Sequence, residues 1–245
     1  MRIGILECGR PPERVVRNHG AYPEIFARLL EGHGFSFQTF NVAELEFPNA
    51  ADTCEGWLIP GTSHGVYERH AYLPRLEELI RDAYDREIPI VGVCFGHQVV
   101  ARALGGRVEK FSGGWSVGRH VYTFKSAGDL ALNAWHQDQV LEAPDGAETI
   151  ATSVFCHHAG LKYGHRAWTV QAHPEYSAEI LKDMIAARRG ASSIPESQLD
   201  TAELQLSQSL DEAYIVEEIA RFFHHAEKHA KPDCNGLYGS APKAS

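Results

Sequence analysis

Up to Gly106 the apolar positions alternate between two periods. RIGILEC, from Arg2 to Cys8, is a buried-strand candidate, and Tyr22, Ile25, Phe26, Leu29 and Leu30 then recur at helical spacing before EGHGF supplies a glycine stop. FSFQTFNV predicts a second strand and GWLIPG a third. Leu73, Leu76, Leu79, Ile80 and Ala83 mark an amphipathic helix, IPIVGV a fourth strand, and FGHQVVARAL a further helix. Strands alternating with helices imply right-handed crossovers and a mostly parallel central sheet covered on both faces. The polar segment GRPPERVVRNHG reads by default as a solvated loop after the first strand, the alternative being that its arginines approach a substrate edge or a partner.

Beyond Gly106 the pattern shortens. GRVEKFS, VGRHVYTF, ETIATSVF, AGLKYG and AWTVQAH are β-rich and separated by turn residues, which predicts antiparallel ribbons extending the sheet. A helix follows from about Ser177 to Arg189, then the polar stretch GASSIPESQLD. Ile215, Ile219, Phe222 and Ala226 form one face of a closing helix. The expected organisation is an α/β domain over 1–190, a helical extension over 191–230 packed on it, and a loose tail over 231–245.

Composition narrows the partners. With 23 Lys and Arg against 32 Asp and Glu the net charge is −9, which offers no general attraction to nucleic acid or anionic lipid. No apolar stretch approaches the length of a signal-peptide core or a spanning helix, so a cytoplasmic protein is expected. Cys8, Cys54, Cys94, Cys156 and Cys234 are odd in number and scattered, without a C-x-x-C pair. That argues against a disulfide framework and a zinc knuckle.

Cys94 stands where IPIVGV gives way to FGHQVVARAL. Glycines two residues before and after it, Gly92 and Gly96, fit a nucleophile elbow, a tight strand-to-helix turn that exposes the central side chain. A helix N-terminus beneath a sulfur favours thiolate over thiol, and the N–H of Phe95 would face an oxyanion forming above it. The other reading is a small buried hydrophobe ending a core strand. A base would decide between them. AWTVQAHPE ends in His173, Pro174 and Glu175; Pro174 disfavours helical geometry at His173, and side chains two apart on an extended segment project together. His173 would then deprotonate Cys94 while Glu175 orients the ring. A surface H-P-E turn is the bland alternative.

GVCFGHQ followed by QAHPE resembles the class I, triad-type glutamine amidotransferases, and most closely the stand-alone proteins similar to the amidotransferase domain of GMP synthase. The resemblance covers Met1 to about Arg189. It implies a flavodoxin-like sheet and a cysteine that attacks a γ-carboxamide, forms a γ-glutamyl thioester and releases ammonia or an amine, with Cys94, His173 and Glu175 in those roles. WLIPGTSHGVYE looks like the family's oxyanion loop, making Gly61 the second oxyanion donor beside Phe95. Gln98 matches the elbow-helix glutamine that contacts substrate, where the alternative is a group that merely solvates its helix. NAWHQDQV, with His136 and Asp138, resembles the segment that receives the amino-acid head of glutamine. Trp135 and Gln137 replace the usual serine and glycine there, which opens the pocket to other γ-glutamyl amides. Asp138 read alone is a turn acid or N-cap, and Trp115 either shapes the pocket wall or packs.

The resemblance implies a small γ-glutamyl substrate and requires neither metal nor organic cofactor. An amidotransferase proper would need a separate synthase partner, since the chain has no room for one. A non-catalytic regulatory module is the remaining alternative, and an intact triad counts against it. Among His224, His225 and His229 two imidazoles stand four residues apart, but no third ligand joins that pair and they read as a solvated helix face, and CHHAG around Cys156 needs no more than loop or core placement.

Overall fold

Short apolar runs become the centre of one sheet. In the computed structural model, which describes residues 1–190 and 193–229, the strands β1 (Arg2–Leu6), β2 (Ser36–Phe40), β3 (Gly56–Ile59), β4 (Ile90–Val93) and β11 (Ala167–Val170) lie in the order β2-β1-β3-β4-β11, all parallel. Every residue of β3, β4 and β11 is buried, as expected of parallel strands covered on both faces. Alternation sorts their side chains. Ile3, Ile5, Leu58, Val91 and Val93 join one apolar cluster, whereas Leu6, Trp57, Ile59 and Ile90 join the other.

Helices close each face. α3 (Leu73–Asp85) and α4 (Phe95–Ala103) cover the second cluster with Leu73, Leu76, Ile80, Val99 and Val100. α2 (Tyr22–Leu29) and α5 (Ala178–Arg188) cover the first with Ile25, Phe26, Ile180 and Ile185. Ser177 caps α5, its Oγ accepting from the Ile180 N–H at 3.3 Å. α6 (Glu196–Leu204) and α7 (Glu212–His229) add Leu199, Ala202, Ile215, Ile219 and Phe223 to that same cluster. The expected tail, 231–245, and Cys234 within it lie outside the described residues.

On the far side of β11 the sheet turns antiparallel through β10 (Gly160–Tyr163), β9 (Glu148–Thr152), β6 (Ser116–Phe124) and β7 (Gly128–His136). A separate ribbon pairs β5 (Arg107–Lys110) with β8 (Asp138–Glu142), setting Lys110 opposite Asp138. This is the α/β architecture with an antiparallel extension that the pattern predicts.

Three local expectations change. GRPPERVVRNHG is no solvated loop: α1 (Glu13–His19) forms there and docks on α5, where Asp183 accepts from Arg14 Nε at 2.6 Å and Asn18 Nδ2 at 2.7 Å. The polar stretch GASSIPESQLD starts α6, whose Ala202 packs onto Gly118 of β6. His224 is not on a solvated face, since its Nε2 lies 3.0 Å from the His33 carbonyl oxygen and its ring stacks on Phe35 at 4.8 Å. The side chain of His229 lies outside the described residues. Among the described residues no set of His, Cys, Asp and Glu is arranged to hold a metal ion, and no helix is long and apolar enough to cross a membrane.

Candidate active site

The turn between β4 and α4 is sterically tight. Cys94 has φ 54° and ψ −102°, a conformation L residues rarely adopt, and its N–H is fixed by the Val170 carbonyl at 2.9 Å. A Cβ on Gly92 would stand 2.5 Å from the Gly96 carbonyl oxygen, and one on Gly96 would stand 2.0 Å from that of Ile59. Only glycine fits at either position. Cys94 lines a cavity of about 310 Å³ at the carboxyl ends of the parallel strands, where ligands of open α/β sheets bind.

His173 and Glu175 reach the same place from beyond β11. His173 forms an isolated bridge with Asn133 of β7, and the chain then turns so that the Tyr176 N–H reaches the His173 carbonyl at 3.3 Å. The extended geometry expected for H-P-E is therefore a turn. The turn still brings the two side chains together, His173 Nδ1 lying 2.7 Å from Glu175 Oε1 with the side chains 2 % and 0 % exposed. Burial alone would push the imidazole down, but the Glu175 carboxylate and the Cys94 sulfur more than offset it, so its pKa is raised well above the ordinary value. Among the described residues its Nε2 has no nitrogen or oxygen partner, and the Cys94 sulfur acts on the same ring. Gly61 packs against both groups: a Cβ there would lie 3.2 Å from His173 Cε1 and 3.6 Å from Cys94 Cβ. Gly61 and Phe95 are buried beside the cavity and do not line it, whereas Thr62 and Ser63 do.

The remaining sequence candidates, Gln98, His136, Asp138 and Trp115, all line the cavity. Gln98 is 3 % exposed, and its Nε2 donates to the Asp138 carbonyl at 2.9 Å and to Gln171 Oε1 at 3.0 Å. It therefore does not solvate its helix; it ties the elbow helix to β8. Asp138 opens a strand and caps no helix, and its Oδ1 accepts from Tyr67 Oη at 3.0 Å. Burial pushes the Asp138 carboxyl up, against the pull of Tyr67 and Lys110. His136 Nδ1 lies 3.1 Å from the Asp138 carbonyl, so Nδ1 carries the proton and Nε2, with no partner among the described residues, is an acceptor. Burial pushes this imidazole down to about 3, which keeps it neutral. Trp115 Nε1 donates to Ser193 Oγ at 3.3 Å.

Sequence reading missed the support beneath His173. The Tyr176 ring stacks on the imidazole at 4.0 Å and 5°, and its hydroxyl lies 2.9 Å from that of Tyr22. Asn133 holds the turn at both ends, accepting from the His173 N–H at 2.8 Å and donating from Nδ2 to the Tyr176 carbonyl at 2.8 Å. Tyr22 had a place in the helical pattern only as an apolar position.

An α/β sheet with a cysteine elbow at its carboxyl edge and a buried imidazole–carboxylate pair beside it is an arrangement that can support acyl transfer to a thiol. The family model for class-I glutamine amidotransferases matches residues 15–189, and the chain belongs to that family. It is 26 % identical over 222 residues to gamma-glutamyl peptidase 4 of Arabidopsis thaliana, covering 84 % of this chain and 88 % of that one. It is 29 % identical over 184 residues to a glutamine-hydrolysing GMP synthase subunit of Methanocaldococcus jannaschii, covering 69 % of this chain and 93 % of that one. A crystal structure of a glutamine amidotransferase from Methylobacillus flagellatus shares the fold, with a TM-score of 0.73 at 18 % identity over 98 % of each chain.

Proposed function

We propose that this protein hydrolyses γ-glutamyl amides through a γ-glutamyl thioester on Cys94. The observation that carries the reading is the convergence of the Cys94 elbow with the buried His173–Glu175 pair at one cavity. His173 takes the thiol proton, and the Glu175 carboxylate favours the resulting imidazolium. The sulfur adds to the γ-carbonyl carbon as the Phe95 and Gly61 N–H groups receive the oxyanion; Phe95 opens α4, where N–H groups have no intrahelical acceptor. As the C–N bond breaks, the imidazolium gives its proton to the leaving nitrogen. Water then adds to the thioester, giving a proton to the imidazole, and the C–S bond breaks to release glutamate and regenerate the thiolate. The sum is amide plus water to glutamate plus amine or ammonia, with no metal or organic cofactor.

Asp138 suits the α-ammonium of the glutamyl group, His136 Nε2 offers a neutral acceptor, Gln98 fixes the Asp138 backbone, and Trp115 forms part of the wall. The similarity to a gamma-glutamyl peptidase supports γ-glutamyl amides as the substrate class. The similarity to a GMP synthase component supports a second reading, in which the released ammonia passes to a synthase partner. The four described cysteines are free and buried, in keeping with a reducing compartment such as the cytoplasm. The test is steady-state glutamate release by the purified chain from glutamine and a γ-glutamyl amide panel. Turnover that disappears in Cys94→Ala supports the reading, and equal turnover in that variant defeats it. Turnover that appears only with an added synthase favours the second reading.

A further inference from the structure

The cavity carries more positive charge on one wall than hydrolysis of an uncharged amide requires. Arg188 ends α5 and lines the cavity one helical turn beyond Met184. It is half-buried, and among the described residues it makes no hydrogen bond or ion pair. Its neighbour Arg189 is the contrast, being held by Glu196, Asp200 and Glu203 at 3.0, 2.7 and 2.7 Å. A guanidinium drawn partly out of water beside a reaction centre without a counter-ion is suited to an anionic ligand.

Its place on the wall identifies which part of the substrate that anion belongs to. Tyr22 lines the cavity with Arg188, and its hydroxyl pairs with that of Tyr176, whose ring lies against His173. In the proposed reaction His173 protonates the leaving nitrogen, and Tyr176, Tyr22 and Arg188 line the same cavity as that imidazole. The acidic groups of the cavity, Glu68 and Asp138, come from other elements, the segment after β3 and the start of β8. The apolar part of the cavity wall includes Trp115, Trp135 and Met184.

We propose that Arg188 binds a carboxylate on the leaving group, so that the preferred donors are γ-glutamyl amino acids or short peptides with a free carboxyl terminus, ahead of glutamine, whose leaving group is ammonia. The inference rests on the hydrolase reading. It is tested with γ-glutamyl-leucine, the same dipeptide as its C-terminal carboxamide, and glutamine, comparing kcat/KM for the wild type, Arg188→Gln and Arg188→Lys.

A charge-assisted contact of this kind makes the free acid better than the carboxamide by about ten- to hundredfold in the wild type. Arg188→Gln brings that ratio to about one, and Arg188→Lys keeps part of it. A wild-type ratio of about one overturns the proposal. So does an unchanged ratio in Arg188→Gln, or equal losses on all three substrates, which would mark the glutamyl α-carboxylate or the fold as what Arg188 serves. If the wild type turns over none of the three, the hydrolase reading fails by itself. Calorimetric binding to Cys94→Ala then still decides the role of Arg188: tighter binding of the acid than of the carboxamide, lost on adding Arg188→Gln, supports it, and equal binding overturns it.

Discussion

Replacing Glu175 by Gln removes a charge and keeps a shape. Glu175 Oε1 stands 2.7 Å from His173 Nδ1 with both side chains sealed from water, so the contact is a charge-assisted hydrogen bond worth about 1.5–3 kcal/mol. The glutamine oxygen can still accept from Nδ1–H, which preserves the tautomer that turns Nε2 toward the sulfur. What is lost is the carboxylate's support of the imidazolium. At 1.36 kcal/mol per factor of ten, the loss is about ten- to hundredfold in kcat/KM. The pH profile separates this from simple misfolding. Because the His173 pKa is raised in the folded protein, the imidazolium persists above pH of about 6.5, the ordinary histidine value, and the alkaline limb of kcat/KM lies correspondingly high. In Glu175→Gln burial is no longer offset by that charge, and the limb moves to lower pH. Full activity with an unmoved alkaline limb would remove Glu175 from the reaction.

Two further substitutions probe the frame around the site. Gly96→Ala places a Cβ 2.0 Å from the Ile59 carbonyl oxygen and should destabilise the protein by about 3 kcal/mol or more; an unchanged Tm contradicts the tight packing of the elbow. Asp183→Asn should lower Tm by several degrees at neutral pH, because the hydrogen bonds from Asn18 and Arg14 hold the Asp183 carboxyl down at about 2. A carboxyl whose pKa is depressed on folding stabilises the protein above its unfolded value of about 4 and loses that contribution as pH falls toward about 2. The gap between wild type and variant should therefore close across that acid range, and a gap independent of pH would show that the charge of Asp183 does not anchor α1.

The parts of the site readable from sequence are those fixed by local geometry. Gly92 and Gly96 flank Cys94 because the elbow leaves no room for a Cβ, and that need is written in the spacing itself. The buried runs of β3, β4 and β11 and the helical faces of α2, α3 and α7 are legible for the same reason. α1 was hidden because it buries little beyond Val15 and depends on Asp183, far along the chain. α6 was hidden because only Leu199 and Ala202 of its residues are buried. The long strand β7 is not legible apart from its last residues, since LALNAWH is buried throughout and so shows no alternation. The link from Tyr22 through Tyr176 to His173, and the entry of Arg188 into the same cavity, exist only once α2, α5 and the turn after β11 are brought together.

The central claim is a covalent one, that a glutamyl group rests on Cys94 between two half-reactions. Rapid acid quenching during turnover of a γ-glutamyl amide, followed by mass spectrometry of the digested protein, tests it most directly. The account predicts an adduct of one glutamic acid less water on the peptide carrying Cys94, absent from Cys94→Ala. Turnover with no such adduct under conditions that make thioester hydrolysis rate-limiting, or an adduct on another residue, contradicts it.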